Sequence, residues 1–208
     1  MASTHTIQIR TGEHHLEHGG VVRLLPDWMQ PSRADALFRE LRGEQIPWTQ
    51  GTIVLFGEER REPRLTAWFG EGDYTYSGRT MRAAAWPACL AALRPLVDRA
   101  AGCSFNAVLL NLYRDGRDSM GMHSDDEPEL GRDPVVASLS LGQPRTFVLQ
   151  PKKKSARERG TYTMDLGHGS LLVMSGSCQH HYRHGVPKQS ARSGERINLT
   201  FRRVVGCS

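Results

Sequence analysis

The second half of this chain is a succession of short β-type runs, and this pattern limits the available folds more than any other feature. After Gly102, apolar and β-branched residues recur in runs that turn residues interrupt. Strands of this length and spacing favour a β sandwich or jelly roll over a parallel α/β sheet. The predicted runs are residues 105–113, 135–141, 146–150, 162–165, 170–175 and 197–205.

Two segments of the first half are predicted to be helical. Residues 32–42 begin with Ser32, a potential N-cap, and continue with apolar residues at helical spacing. A second helix starts near Trp86 and Pro87, and Pro95 is expected to kink or end it. The apolar stripes consist of Ala34, Leu37, Phe38 and Leu41 in the first helix and of Leu90, Leu93 and Val97 in the second.

The 208 residues are expected to form one domain. The chain is long enough for one sizeable core, and it contains no repeat, low-complexity linker or domain break. Residues 1–20 are polar and lack periodicity, which predicts a flexible tail or, alternatively, an edge strand. The prediction is therefore an α+β protein in which N-terminal helices flank a β core at about residues 103–206.

Cysteine spacing and hydropathy indicate an intracellular protein. None of the four cysteines forms a Cys-x-x-Cys pair, so neither a zinc ribbon nor a dithiol redox site is indicated. No apolar stretch approaches the length of a membrane helix, and the N-terminus lacks the layout of a signal peptide. We therefore expect a cytoplasmic protein that does not enter a membrane.

The positive charge of the chain permits an anionic partner such as nucleic acid. The net charge is +5 and the pI is about 9.3. Basic residues cluster in two places, although such runs are also typical of solvated loops. The clusters are Lys152, Lys153, Lys154, Arg157 and Arg159, and, earlier in the chain, Arg60, Arg61 and Arg64.

A possible metal site begins at His123-Ser-Asp125. Residues i and i+2 of an extended segment point the same way, so His123 and Asp125 could bind one ion from a single strand end. The motif alone is weak, because chance gives about 0.4 matches in a chain of this composition. A third ligand could come from His180, His181 or His184. Two histidines and one carboxylate bind one face of a ferrous ion and leave the opposite face open.

The segment 196–202 alternates between polar and apolar residues. Ile197, Leu199 and Phe201 would share one face of a strand. The other face would carry two guanidinium groups, which could bind the carboxylates of a co-substrate if strand twist and side-chain length bring them together. Alternatively, this is an exposed edge strand with scattered arginines. The residues of the polar face are Arg196, Asn198, Thr200 and Arg202, and Asn111 and Tyr113 share a face in an earlier run.

Taken in order, these motifs resemble the AlkB-type 2-oxoglutarate- and Fe(II)-dependent dioxygenases, most clearly the branch that repairs nucleic acids. The similarity extends from about residue 63 to residue 204. The matching motifs are Asn111-Leu-Tyr113-Arg-Asp-Gly116, His123-Ser-Asp125-Asp-Glu127-Pro128, Ala137-Ser-Leu-Ser-Leu-Gly142, Asp165-Leu-Gly-His-Gly169-Ser-Leu-Leu172, Tyr182-Arg-His184-Gly-Val-Pro187 and Arg196-Ile-Asn-Leu-Thr-Phe-Arg202.

The resemblance implies a double-stranded β-helix, or jelly roll, and a complete cofactor system. His123, Asp125 and His184 would bind Fe(II). His184 and Arg196 are twelve positions apart, as in the two human repair members that the chain resembles, and this likeness favours His184 over its neighbours. The cofactors would be Fe(II), 2-oxoglutarate and O2. The residues that would hold 2-oxoglutarate are Asn111, Tyr113, Arg196, Asn198 and Arg202.

The reaction that the resemblance implies is oxidative demethylation of 1-methyladenine and 3-methylcytosine in DNA. It couples decarboxylation of 2-oxoglutarate to succinate and CO2 with release of formaldehyde. The partner would be alkylated DNA, single- or double-stranded, or RNA, and the protein would act as a monomer. Two alternatives remain: the same chemistry on RNA, a protein side chain or a small molecule, and a non-catalytic binding module that has kept the fold.

A nucleotide-recognition segment would occupy about residues 50–80. Tyr74 and Tyr76 lie in it, and Tyr76 would sandwich the flipped base opposite His123, although both tyrosines could be half-buried strand residues. Phe56 resembles an apolar finger that fills the vacated base stack, but a phenylalanine in an apolar run could equally be core.

Charged residues complete the expected substrate site. Asp126 or Glu127 could accept a hydrogen bond from an exocyclic amino group of the base. Arg145 could pair with that acidic group, or could form a purely structural ion pair. The basic hairpin would contact phosphates through Lys152, Lys153 and Lys154.

Overall fold

A computed structural model describes residues 6–55, 57–71, 74–76, 79–81, 83–153 and 160–205. Three helices lie in these ranges: α1 (Pro31–Leu41), α2 (Ala88–Ala101) and the single turn α3 (Cys178–His181). The strands are β1 (Thr6–Gln8), β2 (Gly12–His15), β3 (Gly20–Leu25), β4 (Thr52–Leu55), β5 (Glu58–Arg61), β6 (Leu65–Gly70), β7 (Tyr74–Tyr76), β8 (Arg79–Met81), β9 (Ala107–Tyr113), β10 (Met120–His123), β11 (Val136–Gly142), β12 (Arg145–Pro151), β13 (Thr161–Leu166), β14 (Leu171–Gly176), β15 (Tyr182–Val186) and β16 (Arg196–Arg202).

Two large sheets form the core of the described structure. One has the order β1-β13-β12-β15-β10 and the other the order β2-β3-β14-β11-β16-β9-β6. Buried side chains of both sheets, among them Phe147, Leu149, Leu172 and Met174, pack together between them. This arrangement confirms the predicted jelly-roll core.

Apolar and polar side chains occupy opposite faces of β16, as their alternation in the sequence predicts. Ile197, Leu199 and Phe201 belong to the core cluster that packs the seven-stranded sheet against α1 and α2. The polar residues therefore project from the opposite face, toward the space between the two sheets. The edge-strand alternative is wrong for β16, because β11 and β9 pair with it on either side.

Helix α1 occurs at the predicted place, and α2 continues beyond its proline. Of the two outcomes expected at Pro95, a kink or an end of the helix, the end is wrong, since α2 continues to Ala101. Pro95 lies on the exposed side, while Leu90, Leu93 and Val97 are buried against the sheet. Pro95 has no backbone N–H and so removes one helical hydrogen bond. Burial of the apolar stripe offsets this loss and stabilises the helix beyond the proline.

The N-terminal segment follows the edge-strand alternative where it is described. β1 pairs in parallel with β13, and β2 pairs with β3. Residues 1–5 lie outside the described residues. No helix in the described ranges is long and apolar enough to cross a membrane. Cys89, Cys103 and Cys178 have free thiols, and Cys207 is outside the described part.

Candidate metal and co-substrate site

The pairing of β10 with β15 brings the candidate metal ligands together. His123 and His184 are direct partners in this antiparallel pair, and Asp125 follows two residues after the end of β10. His123 Nε2 lies 3.9 Å from Asp125 Oδ1, and His184 Nε2 lies 3.7 Å from Asp125 Oδ2. The three possible ligand atoms all lie within 4.8 Å of one another. Side chains from separate parts of the sequence therefore converge on one point.

The two alternative histidines point elsewhere. His180 Nε2 lies 3.2 Å from Asp133 Oδ1. His181 is exposed and stacks on His18, with 4.7 Å between ring centroids. Because both belong to α3 rather than to β15, they are displaced from the strand that faces β10.

Asp125 is fully buried, and its two oxygens differ in their surroundings. Arg202 NH2 donates to Oδ1 at 2.8 Å, whereas Oδ2 has no hydrogen-bond partner within the described residues. Burial alone would raise the pKa of Asp125, but Arg202 and the two histidines lower it to about 2. The carboxylate is therefore ionised, and a buried oxygen without a partner is suited to a cation.

The two imidazoles are available in the neutral form. Burial lowers the pKa of His184 to about 3, and it lowers the pKa of His123 as well. His123 Nδ1 lies 2.9 Å from the carbonyl of Gly121, and donation to that carbonyl leaves Nε2 as an electron-pair donor on the side of Asp125. Phe147 stacks on the ring of His184. These residues fit a ferrous ion that is held on one face.

A small cavity, of about 30 Å³, adjoins two of the three candidate ligands. Asn111, Tyr113, Asn198 and Arg202 line it together with His123 and His184. Arg196 lies behind Tyr113, with its guanidinium carbon 5.1 Å from the ring centroid and its NH2 group 2.9 Å from Ser140 Oγ. No acidic side chain in the described structure forms an ion pair with Arg196, although its guanidinium is buried. A buried cation without a counter-charge favours an anionic ligand.

The two arginines of β16 serve different partners. Arg202 binds Asp125, whereas Arg196 contacts Tyr113 and Ser140 at the other end of the strand. Six residues of strand rise, about 20 Å, separate the backbones of the two arginines. The convergence of their guanidinium groups on one ligand, through strand twist and side-chain length, stays a prediction. Asn198 donates to Ser138 Oγ and to the carbonyl of Leu139, so its amide is largely committed to the sheet.

Arg64 is a site residue that sequence reasoning missed. It was grouped with the exposed basic residues, but it is buried and donates from Nε to Asn111 Oδ1 at 2.9 Å. Its NH2 group also donates to the buried carboxylate of Glu62 at 2.8 Å. The position of Arg64 directly before an apolar strand, β6, was the available signal. Arg64 fixes the side-chain amide of Asn111 in the cavity.

Gln179 is the second missed residue. It is fully buried, and its Oε1 accepts a hydrogen bond from the backbone N–H of Asp125 at 3.0 Å. Ser124 Oγ donates to the carbonyl of Tyr182 at 2.8 Å. The loop that carries Asp125 is therefore bound to the segment that leads into His184.

The expected role of Arg145 is wrong. Arg145 is buried at the start of β12 and donates to the carbonyls of Asp115, Asp118 and Pro187 instead of pairing with Asp126 or Glu127. The partners are backbone oxygens because the loops that follow β9 and β15 both close over this end of β12. Arg145 therefore holds two loops together.

The other substrate-site residues are only partly described. Asp126 is exposed and forms an ion pair with Lys152, and Lys153 is exposed. Glu127 is half-buried one position further on. Tyr74 and Tyr76 lie in β7, but their side chains are outside the described structure, as are Phe56 and Lys154.

A larger cavity, of about 300 Å³, lies away from this site. Its lining consists of Trp28, Met29, Gln30, Arg33, Leu96, Arg99 and Ala100. None of the three candidate metal ligands lines this larger cavity. The size of a cavity therefore does not identify the candidate metal site.

Comparisons with known proteins agree with this geometry. The model of the 2OG-Fe(II) oxygenase superfamily matches residues 21–202. Alpha-ketoglutarate-dependent dioxygenase alkB homolog 3 of Bos taurus is 43% identical over 190 residues, covering 88% of this chain and 66% of that protein. The Homo sapiens protein of the same name is 42% identical, covering 92% of this chain and 70% of its own length.

A second group of relatives has a name that states a reaction. DNA oxidative demethylase ALKBH2 of Homo sapiens is 36% identical over 183 residues, covering 84% of this chain and 70% of its own length. A solved structure of OsALKBH1 matches with a TM-score of 0.63 at 18% identity, covering 92% of this chain and 99% of that one. At that identity the likeness concerns the fold alone. The chain spans about two thirds of the length of its bovine relative.

Proposed function

This chain belongs to the 2OG-Fe(II) oxygenase superfamily and is of the AlkB type, and from that premise we propose that it removes N-methyl groups from 1-methyladenine and 3-methylcytosine in DNA. One observation supports the reaction most: a buried, ionised Asp125 with a free oxygen beside two neutral imidazoles. The similarity to proteins named DNA oxidative demethylase supports the substrate class.

In this proposal His123, Asp125 and His184 hold the iron. Asn111, Tyr113, Asn198 and Arg202 line the cavity that would hold 2-oxoglutarate. Arg196 lies behind Tyr113, and a carboxylate of the co-substrate would neutralise its buried charge. When bound, iron would activate O2 as the oxidant: one oxygen atom would enter succinate as 2-oxoglutarate loses CO2, and the other would hydroxylate the N-methyl group, after which the base loses formaldehyde.

The chain's own residues supply charge and orientation. Arg202 keeps Asp125 ionised and fixes Oδ1, so that Oδ2 remains directed toward His184. Arg64 fixes Asn111, and Gln179 fixes the backbone of Asp125. Asp126 and Glu127 follow the site directly and add negative charge where a cationic methylated base would enter. The base must be unstacked or single-stranded, because Asp125 and His184 are too buried to reach a base inside a duplex.

Formaldehyde release tests the proposal. The protein is incubated with Fe(II), 2-oxoglutarate and matched oligonucleotides that contain 1-methyladenine, as single- and double-stranded DNA and RNA. We expect release from DNA, its loss in His123→Ala and His184→Ala, and its retention in His180→Ala, whose side chain points to Asp133. Absence of formaldehyde with all four substrates would refute the proposal, and release from RNA alone would correct the substrate.

A further inference from the structure

An ion pair connects the candidate base-reading carboxylate to the basic run. Lys152 Nζ lies 2.5 Å from Asp126 Oδ2. Asp126 directly follows the candidate ligand Asp125, and Lys152 is the first residue of the basic run. Resting on the proposed function, we propose that this pair is a latch: Lys152 occupies the carboxylate of Asp126 until a phosphate of the nucleic acid binds Lys152, which frees Asp126 to read the base.

Both ends of the latch are anchored to the same segment of the fold. The backbone N–H of Lys152 donates to the carbonyl of His181 at 2.7 Å, and the preceding residue, Pro151, pairs with Tyr182. On the other side, Ser124, which lies two residues before Asp126, donates from Oγ to the carbonyl of Tyr182. Because both backbones are fixed, the latch opens by rotation of two side chains rather than by movement of a loop.

The exposure of the pair makes it replaceable. The side chain of Lys152 is 28% exposed and that of Asp126 is 42% exposed. Ion pairs at this exposure contribute little net free energy, because water and salt screen them and side-chain entropy opposes them. A backbone phosphodiester offers lysine the same single charge on two non-bridging oxygens, and a polyanion adds the gain of counterion release. Exchange of one partner for the other therefore costs little.

The exchange has a consequence for specificity. A methylated base within a strand brings phosphates to Lys152, so Asp126 becomes available for its exocyclic amino group or its positive charge. A methylated nucleoside has no phosphate to bind Lys152, so Asp126 is still paired with Lys152 when the nucleoside binds. The latch therefore favours bases within a nucleic acid over free nucleosides, and Lys152 is a specificity-determining residue.

Equilibrium binding separates this role from simple phosphate attraction. The protein, loaded with Mn(II) and 2-oxoglutarate, is titrated with 1-methyl-2′-deoxyadenosine and with a pentanucleotide that contains the same base. Lys152→Met should bind the nucleoside about two- to fivefold more tightly, the range that an exposed ion pair allows. It should bind the pentanucleotide more weakly, and the slope of log K against log salt should decrease by about 0.7.

Two further variants make the test specific. Lys188→Met removes the same charge from an exposed position outside the site and should leave nucleoside affinity unchanged. Lys152→Met combined with Asp126→Asn should show no gain over Asp126→Asn alone, because the gain acts through the carboxylate. The latch is refuted if Lys152→Met and Lys188→Met bind the nucleoside equally, or if none of the proteins binds it. A lack of formaldehyde from every oligonucleotide would instead refute the demethylase proposal, and the binding comparison would still decide the latch.

Discussion

Asp125 combines two environments in one side chain. Oδ1 accepts a hydrogen bond from Arg202, whereas Oδ2 is buried without a hydrogen-bond partner in the described structure. An asparagine would keep an oxygen for Arg202 but would lose the negative charge. The effect of this substitution therefore separates metal binding from folding.

We expect Asp125→Asn to abolish stabilisation by metal while the protein still folds. Changes to groups that merely support a ligand weaken metal affinity by about 10- to 100-fold, so loss of a ligand charge should exceed that range. Mn(II) at a hundred times its dissociation constant should stabilise the wild type by about 2.7 kcal/mol. Thermal unfolding with and without Mn(II) measures this, with His180→Ala as the control that keeps the stabilisation. An equal stabilisation of Asp125→Asn would contradict the assignment.

Cys178 predicts how stability depends on alkaline pH. Burial, assisted by the charge of Asp125, raises the pKa of its thiol from 9.0 to about 12. Between these two values the unfolded chain loses the thiol proton while the folded chain keeps it, so stability falls as pH rises. Below pH 9 both states hold the proton, and this contribution does not change with pH.

The Cys178 contribution should amount to about 2 kcal/mol between pH 8 and pH 10.5. Cys178→Ala removes it, so the free energy of unfolding of this variant should fall less over that interval than that of the wild type. Urea denaturation at both pH values measures the difference. The other thiols titrate in both proteins and cancel. Parallel curves for the two proteins would show that the thiol ionises normally in the folded state.

At the scale of elements, Gly116 fixes the loop that follows β9. A Cβ atom at this position would lie 1.8 Å from the carbonyl oxygen of Ser190, which belongs to the loop between β15 and β16. The carbonyl of Gly116 also accepts a hydrogen bond from the backbone N–H of Gln189. Arg145 binds carbonyls of both loops. The close approach therefore requires glycine.

Gly116→Ala should lower the free energy of unfolding by about 1–3 kcal/mol, the usual cost of overpacking a buried position. Urea denaturation measures it. Gly121→Ala is the matched control, because a Cβ at that glycine would meet nothing within 4 Å. Equal stabilities of the two variants would mean that the loops separate without cost.

Most regular elements after Gly102 could be predicted from the sequence, whereas the apolar strands β3 and β6 of the first half and the irregular strands were not predicted. The runs that became β9, β11, β12, β13, β14 and β16 have continuous or alternating apolar residues, and α1 has a helical stripe. β10 and β15 were missed because glycine, histidine and arginine interrupt their apolar pattern. Pairing of these two strands with each other and with β12, rather than local propensity, stabilises them.

The same distinction holds within the site. Spacing and resemblance indicated His123, Asp125 and His184, and the structure brings these three together. Arg64 and Gln179 were missed because their contacts are with groups 47 and 54 positions away along the chain. No local sequence pattern indicates contacts at that separation. Arg145 was misassigned for a related reason, since its partners are backbone carbonyls that the sequence does not distinguish.

At the scale of the whole molecule, the basic run should govern nucleic-acid affinity. Replacement of Lys152, Lys153 and Lys154 by glutamate should abolish binding of a single-stranded oligonucleotide, because each lost phosphate contact lowers the salt slope by about 0.7 and the new charges repel the strand. Fluorescence anisotropy at several salt concentrations measures this. Binding that survives the replacement would mean that the partner is not a polyanion or that it binds elsewhere.

The convergence of three distant side chains on one cation is tested most directly by a crystal structure with Mn(II) and 2-oxoglutarate. Anomalous scattering from manganese would locate the metal. We expect one metal ion bound by His123 Nε2, Asp125 and His184 Nε2, with 2-oxoglutarate in the adjoining cavity beside Tyr113. A metal bound at other residues, or His184 turned away from Asp125 with the cavity closed, would contradict it.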